Sequence, residues 1–303
     1  MLSSRVCLAA LCVVAPATLI AQSQSPPATF RTSLDLVSVA VVVRGADGRL
    51  VPDLKAADFE VLDRGTAQPI VQFERGGDAD PRLALLVDGS GSMVMGSRRE
   101  RCLLATDLLI AGLKATDTAS VFTFDRRVTR LTPFTANRGE LRNAVTSVES
   151  FGTTSIYDAI VGTVEKVMDD TPRARALLLL TDGFDTASVL SGEDAAMAAA
   201  ALDIPLYVLS VGGDAGGDAS QPAGAGPSAT LELNDLASRT GGLATRAETA
   251  GQLSLVTQGI LTELRNQYVI AFAAGPERGW HNLTVRVRRG RVQARSRNGY
   301  VVP

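Results

Sequence analysis

Arg82-Leu-Ala-Leu-Leu-Val-Asp-Gly-Ser-Gly-Ser-Met93 is an unbroken apolar run that ends abruptly in small, polar, glycine-rich residues. A run of this kind, without polar alternation, suits a strand buried on both faces, as the strands of parallel sheets are. Arg175-Ala-Leu-Leu-Leu-Leu-Thr-Asp-Gly183 repeats the design and carries Asp182 to the same end of a second strand. Between the two, Phe151-Gly-Thr-Thr-Ser-Ile-Tyr-Asp-Ala-Ile160 forms a hydroxyl-rich loop leading into a helical pattern. Working outward, strand patterns fall at 83–87, 120–124, 128–131, 176–180, 205–211 and 268–273, with helical patterns near 97–114, 137–148, 155–169, 192–202, 230–240 and 250–266. This alternation predicts an α/β fold, a doubly wound and mostly parallel sheet covered on both faces, with a hairpin at 120–131. In the doubly wound order the strands ending at Asp88 and Asp182 are neighbours across the topological switch point, the crevice where such sheets bind ligands.

Asp88, Ser90, Ser92, Thr154 and Asp182 therefore come from three loops at one end of one sheet. Two carboxylates and three hydroxyls are hard oxygen donors, the ligand set that suits Mg²⁺ or Mn²⁺, with Ca²⁺ as a further candidate. Asp-Gly and Ser-Gly-Ser are ordinary turn sequences when met singly. It is their ordered co-occurrence with the hydroxyl loop, each where a strand or helix begins or ends, that points to a metal site.

These three fragments resemble the von Willebrand factor type A (VWA) family, whose metal-ion-dependent adhesion site uses Asp-x-Ser-x-Ser, then a Thr, then an Asp. Asp88, Ser90 and Ser92 fall on the first motif, Thr154 on the threonine, and Asp182 on the aspartate of Thr-Asp-Gly. Thr153 stands where the family has its second glycine, so the hydroxyl could come from Thr153 or Thr154; the spacing to Tyr157 and Asp158 favours Thr154. The resemblance implies a Rossmann-like sheet and an ion whose shell is completed by water or by an Asp or Glu carboxylate of a protein partner. Met93, Ser155, Phe184 and Asp185, on the adjacent loops, are the expected partner contacts or supports of those loops.

With 303 residues the chain is long enough for one large or two modest domains. A net charge of -2 names no partner, and Lys occurs only at 55, 114 and 166. Residues 1–21 combine Arg5 with an apolar stretch that Pro16 interrupts, which reads as a secretory signal peptide rather than a membrane span. The expected localisation is therefore secreted or periplasmic, and the mature chain keeps only Cys102, read as a small buried side chain.

The domain expectation is a signal peptide at 1–21, an N-terminal β segment at 22–79, the VWA domain at 80–275, and a C-terminal β-hairpin at 276–303. A strand-like segment at 34–44 and the segments 54–63 and 70–73 precede the sheet domain; after it, 282–288 and 292–297 read as a hairpin turning at Arg289-Gly290. Neither end has the apolar surface to fold alone, so the two are expected to meet in one small β module. The layout resembles a bacterial subfamily of secreted VWA-related proteins. The run 212–228, rich in Gly and Ala, reads as a surface loop.

Several functions lack support. The stretch 278–303 holds seven arginines and no acid, with Arg286 and Arg288 alternating with valines, which reads first as a solvated face rather than an anion or nucleic-acid surface. His281 is the only histidine, which removes a multi-histidine zinc site and a Ser-His-Asp triad in the sheet domain; it is expected on a surface turn beside Trp280. No phosphate-cradling glycine motif occurs. The favoured function is metal-dependent protein recognition without catalysis. The alternatives are a metal-dependent hydrolase with Asp158 or Asp185 as general base, and a metal-free envelope scaffold.

Overall fold

The computed structural model describes residues 36–76, 80–167, 175–183, 185–211 and 227–302. The signal-peptide expectation and most of the glycine-rich run 212–228 lie outside the described residues. The strands are β1 (Leu36–Gly45), β2 (Phe59–Asp63), β3 (Thr66–Gln68), β4 (Ile70–Arg75), β5 (Arg82–Asp88), β6 (Thr118–Phe124), β7 (Val128–Arg130), β8 (Arg175–Thr181), β9 (Leu206–Ser210), β10 (Leu243–Arg246), β11 (Tyr268–Ala273), β12 (Gly279–Val287), β13 (Val292–Arg295) and β14 (Gly299–Val302). The helices are α1 (Arg98–Gly112), α2 (Arg138–Thr146), α3 (Ile156–Val167), α4 (Gly192–Ala201), α5 (Pro227–Arg239) and α6 (Ala250–Asn266).

The central sheet runs β10-β9-β8-β5-β6-β7, parallel except for the β6–β7 hairpin. Along β5 the pleat sends Leu83, Leu85 and Val87 to one face, where α1, α2 and α6 cover them, and Ala84 and Leu86 to the other, under α3, α4 and α5. This two-sided burial is why the sequence of β5 shows no polar alternation. The chain moves outward from β5 through β6 and β7, then returns to β8 on the other side. The switch point thus lies between β5 and β8, which pair from Arg82↔Arg175 to Val87↔Leu180 and deliver Asp88 and Asp182 to the same end of the sheet.

A second core belongs to two four-stranded antiparallel sheets, β13-β1-β11-β4 and β14-β12-β2-β3. Val39, Val41, Val43, Tyr268, Ile270 and Phe272 from the first meet Phe59, Val61, Leu283, Val285 and Tyr300 from the second, a β-sandwich arrangement. Residues before the central sheet pair with residues after it: β1 with β13, and β2 with β12.

Two sequence expectations fail here. Residues 268–273 do not join the parallel sheet; β11 lies between β1 and β4, antiparallel to both. Its large side chains Tyr268, Ile270 and Phe272 all point to one face, the pattern of a sandwich strand, and the small residues between them disguise it as a continuous apolar run. Nor do 282–288 and 292–297 form a hairpin. β12 pairs with β2 and β14 while β13 pairs with β1, so the turn between them crosses from one sheet to the other. That crossing is tied to both sheets, Arg288 N donating to Asp58 O (2.8 Å) and Ala46 N to Arg291 O (3.1 Å).

His281 is likewise not on a surface turn. It is buried in the sandwich, with Nδ1 2.9 Å from Asp63 Oδ1 and Nε2 2.7 Å from the Glu277 carbonyl, while Tyr300 OH donates to Asp63 Oδ2 at 3.0 Å. Because the pair is buried, removing one partner strands the other: Asp63→Ala is expected to cost about 3–5 kcal/mol in urea unfolding. A cost below about 1 kcal/mol would show that the cluster is not an integral part of the sandwich core.

The C-terminal arginines divide. Arg286 is exposed as expected, but Arg297 is buried, donating to the carbonyls of Ala200 and Ser38 and lying 3.4 Å from Asp203. Arg295 pairs with Glu263 of α6. These two arginines join the sandwich to the helices of the α/β domain instead of facing solvent.

Candidate metal centre

The site begins at the C-terminal end of β5. Gly89 donates to Phe124 O (2.8 Å), and a β-carbon there would come within 2.9 Å of Thr123 Oγ1 and 3.2 Å of Phe124 O, so only glycine lets the turn lie this close to β6. Phe151 N then donates to Gly89 O (2.7 Å) and Gly91 N to Gly152 O (3.1 Å), zipping the serine loop to the threonine loop. Gly152 has φ +85°, the left-handed region that glycine enters without strain. Asp88 Oδ1 accepts from Ser90 N (2.8 Å), and the hydroxyls of Ser90 and Ser92 lie 3.0 Å apart.

From the β8 side, Thr181 Oγ1 donates to Asp88 Oδ2 at 2.5 Å and accepts from Gly183 N at 3.1 Å, so one hydroxyl joins the two strand ends. Asp182 is 4% exposed; its Oδ2 accepts from Arg98 Nη1 at 3.0 Å, and the same nitrogen donates to Ser92 O at 3.2 Å. Asp182 Oδ1 is buried and has no hydrogen-bond partner among the described residues. Asp88, 1% exposed, has its carboxyl pushed up to about 6, first by burial and then by the neighbouring charge of Asp182.

Thr154 is buried and held through its backbone, its N donating to Thr186 Oγ1 (3.1 Å) and its O accepting from Thr186 N (2.8 Å) and Ala187 N (3.0 Å). Thr153, the alternative, accepts from Arg126 Nε at 3.3 Å. The structure thus brings Asp88, Ser90, Ser92 and Asp182 into one linked cluster, and carries Thr154 to the same end through the Gly91–Gly152 bond.

The expected partner contacts change. Met93 is 1% exposed and packs into the core beneath the loop, and Ser155 is also buried, so neither is available to a partner. Asp185 supports its loop: Oδ1 accepts from Ile156 N and from Ser188 Oγ, each at 2.6 Å, capping α3. Phe184 lies outside the described residues. Among the described residues, exposed apolar side chains on these loops include Val94, Met95, Phe151 (80% exposed) and Val189 (92% exposed).

Thr181 and Arg98 were not singled out from sequence. The signal for Arg98 was its place at the first position of a helix, the end where the helix dipole disfavours a cation. Cys102 is buried as expected, its thiol pushed up to about 12, chiefly by burial.

The donor chemistry fits a hard dication on two observations: all candidate donors are oxygens, and one carboxylate oxygen is buried facing no partner. A doubly wound sheet with carboxylates and hydroxyls gathered at its switch point defines an α/β domain of the kind that binds ligands beyond the carboxyl ends of its strands. The sequence profile of the von Willebrand factor type A domain matches residues 83–184, the span that holds β5, β8 and the loops between them. A comparison with curated proteins returns no match.

Among solved structures, the chain is similar to an aerotolerance-related membrane protein from Bacteroides fragilis, at 17% identity and TM-score 0.49 over 61% of this chain and 98% of that one. It is also similar to a von Willebrand factor type A protein from Catenulispora acidiphila, at 12% identity and TM-score 0.49 over 90% of this chain and 75% of that one. A third is the manganese-loaded TRAP protein of Plasmodium vivax, at 18% identity and TM-score 0.43 over 77% and 98%. Overlaps of this size carry no functional argument by themselves.

Proposed function

We propose that this chain is a secreted or periplasmic recognition protein that binds a protein partner through a divalent ion, Mg²⁺ or Mn²⁺ with Ca²⁺ as the further candidate, held by Asp88, Ser90, Ser92, Thr154 and Asp182. The observation that carries the reading is the buried, unpartnered Oδ1 of Asp182 beside the Asp88–Ser90–Ser92 cluster. When bound, a hard dication would offer an open coordination position to an Asp or Glu carboxylate of the partner. The protein's part is to fix the donors: Thr181 and the Ser90 amide orient Asp88, and the Gly89–Phe151 and Gly91–Gly152 bonds hold the loops in register. Val94, Met95, Phe151 and Val189 supply apolar contact around the centre, where exposed apolar side chains on adjacent loops favour a protein surface.

Two observations weigh against the hydrolase alternative. Asp158 accepts from Val189 N and Leu190 N, and Asp185 from Ile156 N and Ser188, so both general-base candidates are engaged in holding loops. The match of residues 83–184 to the von Willebrand factor type A profile, a family whose members act in protein–protein interaction, supports the recognition reading. Among the described residues no helix is long and apolar enough to cross a membrane. The test is capture of the partner from the organism's envelope fraction in Mn²⁺ and in EDTA, with Asp88→Ala in parallel. Capture by the wild type in Mn²⁺ alone is expected; equal capture in EDTA would leave the metal-free scaffold as the better account.

A further inference from the structure

We propose that Arg98 is a built-in cation that competes with the divalent ion for Asp182, and so sets the metal affinity of the site low. The inference rests on the metal reading above and adds a residue that the five-donor motif does not contain.

Arg98 and Asp182 form a buried pair, the side chains 8% and 0% exposed, with Nη1 3.0 Å from Oδ2. The next arginines in the same helix serve other purposes: Arg99 donates to Val148 O and Arg101 to Val211 O, both backbone carbonyls. Arg98 is directed at a carboxylate of the site, and it stands at the helix end where the dipole disfavours a cation. Asp182 and the Ser92 carbonyl hold its guanidinium at the site against the helix dipole.

Charge counting gives the consequence. Asp88 and Asp182 in their charged forms contribute two negative charges, and Arg98 returns one positive charge. A dication entering beside the guanidinium meets both a half-neutralised site and a like charge at close range, with little solvent to screen either. A loaded site that retains Arg98 keeps a net positive charge, which a partner carboxylate then neutralises. Without Arg98 the dication alone balances the two carboxylates.

The experiment titrates Mn²⁺ into the EDTA-stripped wild type, Arg98→Gln and Arg98→Lys at neutral pH, by calorimetry and by the loss of the free-ion paramagnetic resonance signal. Arg98→Gln is expected to bind Mn²⁺ roughly tenfold or more tightly than the wild type, while Arg98→Lys, which keeps the charge, stays near the wild type. Equal or weaker binding by Arg98→Gln would overturn the proposal, leaving Arg98 as a positioning residue for Asp182 and the metal reading intact. If no variant binds Mn²⁺, the metal reading and the proposal fall together. Should Arg98→Gln be unfolded after stripping, recovery of its circular dichroism on adding Mn²⁺ supports the proposal, and failure to recover overturns it.

Discussion

Asp88→Asn is expected to make the metal-free protein more stable at neutral pH, by about 2–3 kcal/mol, while abolishing Mn²⁺ binding. The carboxyl of Asp88 is raised from an ordinary 3.8 to about 6, first by burial and then by Asp182. Between those two values the folded chain holds a proton that the unfolded chain has released, so stability falls as pH rises through this window. At neutral pH the penalty is fully present, about two pH units at roughly 1.4 kcal/mol each. Asparagine keeps an acceptor for Ser90 N and removes the charge. Urea unfolding of the EDTA-stripped proteins near pH 4 and at neutral pH measures the difference, which should shrink toward zero at the acid end. A variant less stable than the wild type at both pH values would contradict the account. The same proton competes with a cation, so Mn²⁺ affinity should weaken as pH falls below about 6.

Glu263→Ala is expected to destabilise the chain strongly, as much as Asp63→Ala does. Glu263 is buried on α6, accepting from Arg44 Nε of β1 at 3.0 Å, from Tyr207 OH of β9 at 3.0 Å, and from Arg295 of β13. One carboxylate thus joins two neighbouring strands of the sandwich sheet to the parallel sheet through α6. Its removal leaves a buried tyrosine hydroxyl and two half-buried guanidinium groups without their shared acceptor, a loss of about 3–5 kcal/mol. Since whole domains are stable by only about 5–15 kcal/mol, this is a large fraction of the total. Glu263→Gln, which keeps the shape, should fall between the two. Thermal and urea unfolding of the three proteins read the effect, and a change below about 1 kcal/mol for alanine would show that the ion cluster adds nothing net.

The central sheet was legible in the sequence because its evidence is local. The runs ending at Asp88 and Asp182 each state their own two-sided burial, and the doubly wound order then makes them neighbours, as the β5–β8 pairing shows. What failed depends on contacts distant in sequence. Tyr268, Ile270 and Phe272 face Val39 and Phe59 more than two hundred residues away, and nothing within 268–273 says which sheet they join. The hairpin reading of 282–297 relied on a plausible turn, whereas β2 and β1 offered the two strands separate partners. His281 was misplaced for the same reason: Asp63 and Tyr300, which bury it, come from other strands. At the site, residue types and spacing revealed the donors, but Thr181 and Arg98 act through geometry that only the folded chain displays.

The most direct test of the metal-centre account is calorimetric titration of Mn²⁺ and Mg²⁺ into the EDTA-stripped chain, with Asp182→Ala alongside. Saturable binding of a single ion by the wild type, lost in Asp182→Ala, is the result expected. Absence of binding to the wild type, even with an acidic peptide present to complete the coordination shell, would contradict it.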